Sequence, residues 1–386
     1  MQQAKFQSRR LQQARYLKRM SLAELGAVTE ISRQALSQFE RGDRMPLPET
    51  VVKMATALSV PVEFFLRPIG RLEGGARTLV HYRSLKRTRD IIKEQQRASA
   101  ILDLCAAIVD TLEQHIEYEP ASVPTISASI SPLQLTGDDV EEIASDTRKR
   151  LGLGNGPISD MALLVENLSV PIIYTPLPSG MDGMSAWYSD KPFIVVSSEC
   201  SYARSRLNIA HEFGHLVLHQ EISEDADLDD ETFKIVESQA WRFAGAFMLP
   251  AKSFLSEIYS VSVDALWILK QKWGISIAAM VRRLLDLGVI DEAQRKNLSI
   301  QLRIKGWAKR EPGDEQQREK ARLIHRAAAF LAERGDLSIH GFAAEAMLPR
   351  QFLADALELM PEQLLPPPPK NVVQFKMKSV PSSNAN

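Results

Sequence analysis

Two histidines four residues apart, His211 and His215, flank Glu212 in the run Arg206-Leu207-Asn208-Ile209-Ala210-His211-Glu212-Phe213-Gly214-His215-Leu216, and no other stretch constrains the chain as tightly. On an α-helix, residues four apart lie on one face, one turn above the other, so both imidazoles can reach one tetrahedral ion. Glu212 points about 100° away around the helix. There a carboxylate can take a proton from an ion-bound water and later deliver one to a leaving amine. Leu207, Gly214 and Leu218 share the stripe of the two histidines, so both are expected to face inward. A glycine inside a helix costs about 1 kcal/mol relative to alanine. Gly214 therefore predicts a close approach of backbone or substrate. The competing explanation is a helix whose histidines are merely satisfied core residues.

A catalytic zinc ion (Zn2+) takes a third protein ligand and keeps one position open. A third histidine three turns along would fall at Glu221, with a glycine required at Leu218, so that arrangement is excluded. His219 continues the ladder, but one straight helix cannot bring three successive turns to one ion. It reads as a supporting or structural residue. Glu237 fits better, because it shares a helical face with the small residues Ala240 and Ala244. A carboxylate on such a stripe is costly unless paired or metal-bound. Glu221, Glu224 and Asp225 compete for the role, although they lie in an acidic run ending at Glu231 that reads as a solvated loop.

The chain is long enough, at 386 residues, for two or three domains. Its 47 Lys+Arg balance 48 Asp+Glu, which excludes a protein that coats nucleic acid along its whole surface. Residues 1–70, however, carry a clear excess of basic residues, so any DNA-binding surface is local. Cys105 and Cys200 form no metal-binding or disulfide pattern. No secretory signal or membrane-spanning run is present, and a cytoplasmic location is expected.

Residues 1–70 read as a small helical domain and 71–135 as a helical linker region. The latter contains a long helix from about Thr88 to Glu117, with Ile91, Ala98, Ile101, Leu102, Cys105 and Ile108 on a helical period. That helix is either a dimer or spacer element or the cover of a core. Residues 136–255 alternate helix and strand. Helices are expected at Asp139–Leu151, Ile158–Asn167, Tyr202–Gln220 and Phe233–Met248, and strands at Val170–Tyr174 and Phe193–Val196. Residues 256–365 are helical, with Trp267, Trp273 and Trp307 available for packing, and 366–386 form a proline-rich, disordered tail. The fold class is mainly α with an α+β centre: an all-α N-terminal domain, a central domain with a small sheet, and a helical C-terminal region.

In the basic segment, Ser21-Leu22-Ala23-Glu24 has the form of a capping box, and Ser32 can cap a second helix. Leu25, Val28, Ile31, Leu36 and Phe39 supply a compact core for a helix-turn-helix. Arg33, Gln34 and Gln38 would project toward base edges of double-stranded DNA, and Ser32, Ser37 and Arg41 toward phosphate or a neighbouring base. A small bundle that binds protein is the alternative.

Two resemblances follow. The stretch from about Val170 to Pro250 resembles the ImmA/IrrE family of metallopeptidases, through its two strands, Gly183-Met184-Ser185, HEFGHLVLH and ESQAWRFAGAFMLP. The resemblance implies a zincin-like zinc peptidase domain in which His211, His215 and Glu237 occupy the ligand positions and Glu212 that of the base. Trp241 stands where the family usually has Asn, and Asn208 where Thr is common. The segment from about Arg10 to Leu66 resembles the XRE (Cro/C1-type) helix-turn-helix family, through Ser-Arg-Gln-Ala-Leu-Ser-Gln-Phe-Glu-Arg-Gly, Pro46 and Leu58-Ser-Val-Pro. Glu30 stands where a glycine often makes the turn. Together they imply a DNA-binding transcriptional regulator with a zinc endopeptidase domain that cleaves a protein such as a repressor. An extended substrate is expected to add as an edge strand along Phe193–Val196, and binding to two half-sites would call for a homodimer. Alternatives are a metal- or ligand-sensing transcription factor without hydrolysis, and an antitoxin-like partner protein.

Overall fold

The computed structural model describes residues 5–74, 77–78, 89–127, 129–222 and 229–366. Four helices open the chain: α1 (Ser8–Leu17), α2 (Leu22–Thr29), α3 (Arg33–Arg41) and α4 (Pro48–Leu58). Their starts are set locally. Ser21 Oγ accepts the Glu24 N–H while the Glu24 carboxylate accepts the Ser21 N–H, the reciprocal cap that Ser-x-x-Glu predicts. Ser32 caps α3 through the Ala35 N–H. Leu25, Leu36 and Phe39 are buried and Ile31 partly so, but Val28 is 60% exposed and leaves the predicted core. Leu25 and Thr29 define the inward face of α2, and Val28 lies about 100° around the helix from Thr29. Glu30 closes α2 in the left-handed conformation, φ 59° and ψ 25°, which a glycine adopts without strain.

After a single turn, α5 (Arg71–Gly74), and the two-residue β1 (Arg77–Thr78), α6 (Arg89–Leu112) runs for 24 residues. Thr88, its expected start, lies outside the described residues. The helix lies in the stretch assigned above to a linker, yet every residue from Ala100 to Leu112 is buried. It is wrapped on several sides. Asp103 accepts hydrogen bonds from Arg9 and Gln13 of α1 and from the Tyr188 hydroxyl in the central sheet. Nearer its start, Lys93 pairs with Glu24 and Glu94 with Arg19. One apolar core accordingly runs from α1–α4 through α6 to one face of the sheet.

The sheet has the order β1-β3-β4-β2, with β2 (Ile172–Thr175), β3 (Gly183–Tyr188) and β4 (Lys191–Ser197). β3, which lacks a β-branched run in the sequence, pairs antiparallel with β4, and β2 pairs parallel with β4. The order corrects the expected substrate edge. Phe193–Val196 has neighbours on both sides, so its backbone groups are taken. Among the described residues β2 has no strand on its outer side, and β3 is open from Gly183 to Ala186, because β1 pairs only with Trp187 and Tyr188. Side chains alternate between faces. Ile173, Met184, Ala186 and Val195 face the first core, while Ile172, Tyr174, Ile194 and Val196 face the second.

That second core is built by α7 (Gly137–Arg150), α8 (Met161–Glu166), α9 (Tyr202–Leu218), α10 (Asp230–Met248), α11 (Ala251–Ser256), α12 (Val263–Trp273), α13 (Ile277–Asp286) and α14 (Glu292–Ile304). α8 starts three residues later than predicted, because Asp160 caps it and the Ile158 and Ser159 carbonyls accept from Arg206 instead. Trp273 is buried, whereas Trp267 is 38% exposed beside Trp307, with ring centroids 6.4 Å apart. α15 (Leu323–Arg334), α16 (Ile339–Ala346) and α17 (Arg350–Leu357) return to the first core. The tail beyond Leu365-Pro366 lies outside the described residues. The chain is mainly helical around a small sheet, as expected. Among the described residues no helix is long and apolar enough to cross a membrane.

Candidate functional site

α9 carries the paired histidines and α10 packs across it. Gly214 permits this contact. A Cβ there would stand 2.9 Å from Phe243 Cδ1 and 3.3 Å from the Ala240 carbonyl oxygen. The close approach predicted at this glycine is therefore made by the neighbouring helix. Phe213, Phe243 and Phe247 fill the adjoining space, with the last two rings stacked at 5.5 Å. This crossing suspends Glu237, one turn before Ala240, over His211 and His215.

The three side chains converge. His211 Nε2 lies 3.1 Å from His215 Nε2, Glu237 Oε2 lies 3.5 Å from His211 Nε2, and Glu237 Oε1 lies 3.3 Å from His215 Nε2. A tetrahedral ion with bonds of about 2.0–2.1 Å separates neighbouring ligand atoms by roughly 3.3–3.4 Å. The donor set, two imidazoles and one carboxylate, thus has both the chemistry and the spacing to hold a zinc-sized cation. Glu221 is exposed and outside this group. Glu224 and Asp225 lie outside the described residues.

Burial sets the protonation. It depresses His211 to about 4 and His215 well below its ordinary range, so both imidazoles are neutral and have lone pairs to offer. Burial raises Glu237. It pushes Glu212 up to about 8, against the hydrogen bond that Ser185 Oγ donates to Glu212 Oε2 at 2.8 Å. Gly183 makes room for that carboxyl, since a Cβ there would lie 2.8 Å from Glu212 Oε1. Gly183 and Ser185 were quoted in the sequence without a role. Their contact with Glu212 depends on β3 lying along α9, and no local pattern announces it.

Trp241 stacks on the His211 ring, with centroids 4.0 Å apart and planes inclined by 28°. Among the described residues His211 Nδ1, which is buried, has no hydrogen-bond partner, and the stacking on Trp241 contacts the ring face. A cavity of about 410 Å³ opens over the histidines, lined by Ile91 and Glu94 of α6 together with Gly183, Glu212, Glu237 and Trp241. A second, of about 650 Å³, shares Asp182, Asn208 and Trp241 with the first. The two positions where the sequence departs from the ImmA/IrrE pattern thus border both cavities.

On α3, Arg33 and Gln34 are exposed, and Ser37 and Gln38 are half-buried. Arg41 donates to Ser37 Oγ at 2.8 Å and to Asp43 Oδ2 at 2.7 Å. Ser32 Oγ is engaged as the cap of α3. The helix therefore presents Arg33 and Gln34 freely, whereas Arg41 must exchange partners to reach a ligand.

Comparisons with known proteins match two regions of the chain. Residues 165–285 match the model of the M78 peptidase family described as the IrrE N-terminal-like domain, and residues 11–65 match a helix-turn-helix model. A 65-residue stretch is 38% identical to the HTH-type transcriptional regulator SutR of Escherichia coli (strain K12), covering 17% of this chain and 36% of that protein. The chain therefore spans about a third of the length of that curated relative. A solved Mycobacterium tuberculosis transcriptional regulator aligns with 43% of this chain and 54% of its own, at 19% identity and a TM-score of 0.31. One chain thus carries a match to the XRE-type helix-turn-helix model at residues 11–65 and a match to the IrrE/ImmA-like M78 peptidase model at residues 165–285.

Proposed function

We propose that this chain is a cytoplasmic, DNA-binding transcriptional regulator whose M78 domain is a zinc-dependent endopeptidase acting on a protein such as a repressor. The observation that carries the proposal is the convergence of His211, His215 and Glu237 beside a separately held Glu212. Zinc bound by the first three residues would supply a Lewis acid that polarises a peptide carbonyl and acidifies water. Glu212 takes the proton from the attacking water and later delivers it to the leaving nitrogen. Ser185 and Gly183 fix its carboxyl, the one by a hydrogen bond and the other by leaving space. An extended peptide has the open side of β3, from Gly183 to Ala186, along which to pair beside the cavity. On α3, Arg33, Gln34 and Gln38 face base edges, with Ser32, Ser37 and Arg41 nearer phosphate.

The test uses zinc-loaded protein incubated with purified candidate repressors. The wild type is expected to release a discrete fragment. Glu212→Gln should keep its zinc and lose cleavage by about 10²–10⁴-fold. Gly183→Ala, whose methyl group displaces the Glu212 carboxyl, should also keep zinc and lose most of the rate. The same fragment formed at the same rate by Glu212→Gln would refute hydrolysis at this site.

A further inference from the structure

His219 stands outside the convergent cluster, yet it is only 1% exposed. It caps the C-terminal end of α9, where φ −123° and ψ 21° leave helical geometry. Its ring lies between His215 and α10. His215 Nδ1 and His219 Nδ1 are 3.0 Å apart, and His219 Nε2 lies 3.0 Å from Gln239 Oε1. The Gln239 amide nitrogen in turn donates to the carbonyl oxygens of Pro132, at 2.8 Å, and Leu135, at 3.1 Å.

The far end of this chain fixes the near end. Backbone carbonyls only accept, so the amide nitrogen of Gln239 must face them and its Oε1 must face His219. His219 Nε2 therefore carries a proton. A neutral imidazole has one N–H, and on His219 that N–H faces Gln239 Oε1. His219 Nδ1 is then an acceptor, and the proton shared with His215 sits on His215 Nδ1. That leaves the lone pair of His215 on Nε2, the atom aimed at Glu237 and His211. Among the described residues His211 Nδ1 has no such support.

We propose that His219 and Gln239 are positioning residues that hold His215 in the Nδ1–H tautomer and so present its Nε2 lone pair to the metal. This rests on the zinc site proposed above. Two backbone carbonyls in the segment before α7 would thereby set the proton position of a ligand three links away. A ligand histidine supported in this way loses affinity for its metal when the support is removed.

The experiment measures zinc Kd by competition with a chromophoric chelator on the full chain. It compares wild type, His219→Leu, His219→Asn and Gln239→Leu, each checked for folding by circular dichroism. In parallel, ¹⁵N shifts report the tautomer of His215 in the zinc-loaded wild type. His219→Leu removes the acceptor and should weaken zinc binding about 10–100-fold. His219→Asn keeps an oxygen near the Nδ1 position and should restore affinity to within a few-fold of wild type. Gln239→Leu unpins the ring and should fall between them. The ¹⁵N spectrum should show Nδ1 protonated and Nε2 bound to metal. Wild-type affinity in folded His219→Leu, equal weakening in His219→Leu and His219→Asn, or a His215 proton on Nε2 would each overturn the positioning role while leaving the zinc site standing. A wild type that takes up no zinc would overturn the zinc site itself.

Discussion

Glu237→Ala should cost the protein its metal. Wild type loaded with zinc is expected to hold about one equivalent per chain through dialysis, and the variant to lose it. Zinc-binding free energies of about 10–16 kcal/mol are spread over four ligands, so one ligand is worth roughly 3 kcal/mol and its loss on the order of a hundredfold or more in Kd. Without the carboxylate, two neutral imidazoles remain, with no negative charge to balance the ion. The pH dependence has a definite sign. His211, depressed to about 4, is already neutral above pH 6, so it releases no proton on binding there. Glu237 and Glu212 are raised by burial, Glu212 to about 8, so in the metal-free protein the Glu212 carboxyl still holds a proton near neutrality. Zinc affinity of the wild type should therefore climb from pH 6 to pH 8, by up to about tenfold per pH unit for each proton displaced. Metal-free protein should move the opposite way. A carboxyl raised to about 8 stabilises the fold below its ordinary range near 4.5, and that contribution is lost as pH rises through 8. Elemental analysis and chelator competition at three pH values test both trends. One equivalent of zinc retained by Glu237→Ala would place the third ligand elsewhere.

The second large effect is expected far from any substrate. Arg206→Ala should destabilise the chain by about 3–5 kcal/mol, the cost of stranding a buried partner. Arg206 is 1% exposed and pairs with Glu319, which is itself buried and also accepts the Ala162 N–H at 2.9 Å. Its other hydrogen bonds go to the carbonyls of Ile158 and Ser159 and to the Tyr202 hydroxyl. One guanidinium thus joins α9, the approach to α8 and the segment before α15. Burial raises Glu319 toward protonation, and Arg206 opposes it. Replacing both members, Arg206→Met with Glu319→Met, should cost less than Arg206→Ala, since no charge is then left alone. Urea unfolding of the three proteins decides the matter. A loss below about 1 kcal/mol for Arg206→Ala would show that the pair is dispensable.

The parts of this site that local spacing controls were legible in the sequence. The i, i+4 histidines, the cap at Ser21 and the cap at Ser32 depend on residues within one turn of each other. Glu237 was reachable by a longer step, because Ala240, Ala244 and Gly214 announce two helices in close contact, and a carboxylate on that seam needs a partner. What spacing could not convey is which distant elements meet. His219 was kept out of the ligand set, and its link to Gln239 spans 20 residues and the next link, to Pro132, spans 107. β3 lacks a β-branched run, so the sheet order that gives β4 two neighbours was hidden, and the substrate edge was assigned to the wrong strand. Val28 failed for a simpler reason. An eight-residue helix with small residues around it has a poorly defined apolar face, and only tertiary contact chooses it.

α6 touches the helix-turn-helix domain through Lys93, Glu94 and Asp103, and within the same few turns it lines the cavity over the histidines with Ile91 and Glu94. Glu94 belongs to both neighbourhoods. Any occupant of the cavity that displaces this part of α6 also works against the ion pairs to Arg19 and Glu24. The free energy of that displacement is held in common by the two ends of the molecule. If operator DNA on α3 also depends on where these ion pairs hold α6, linkage requires that it and an occupant above the histidines change each other's affinity by one and the same factor, whichever arrives first.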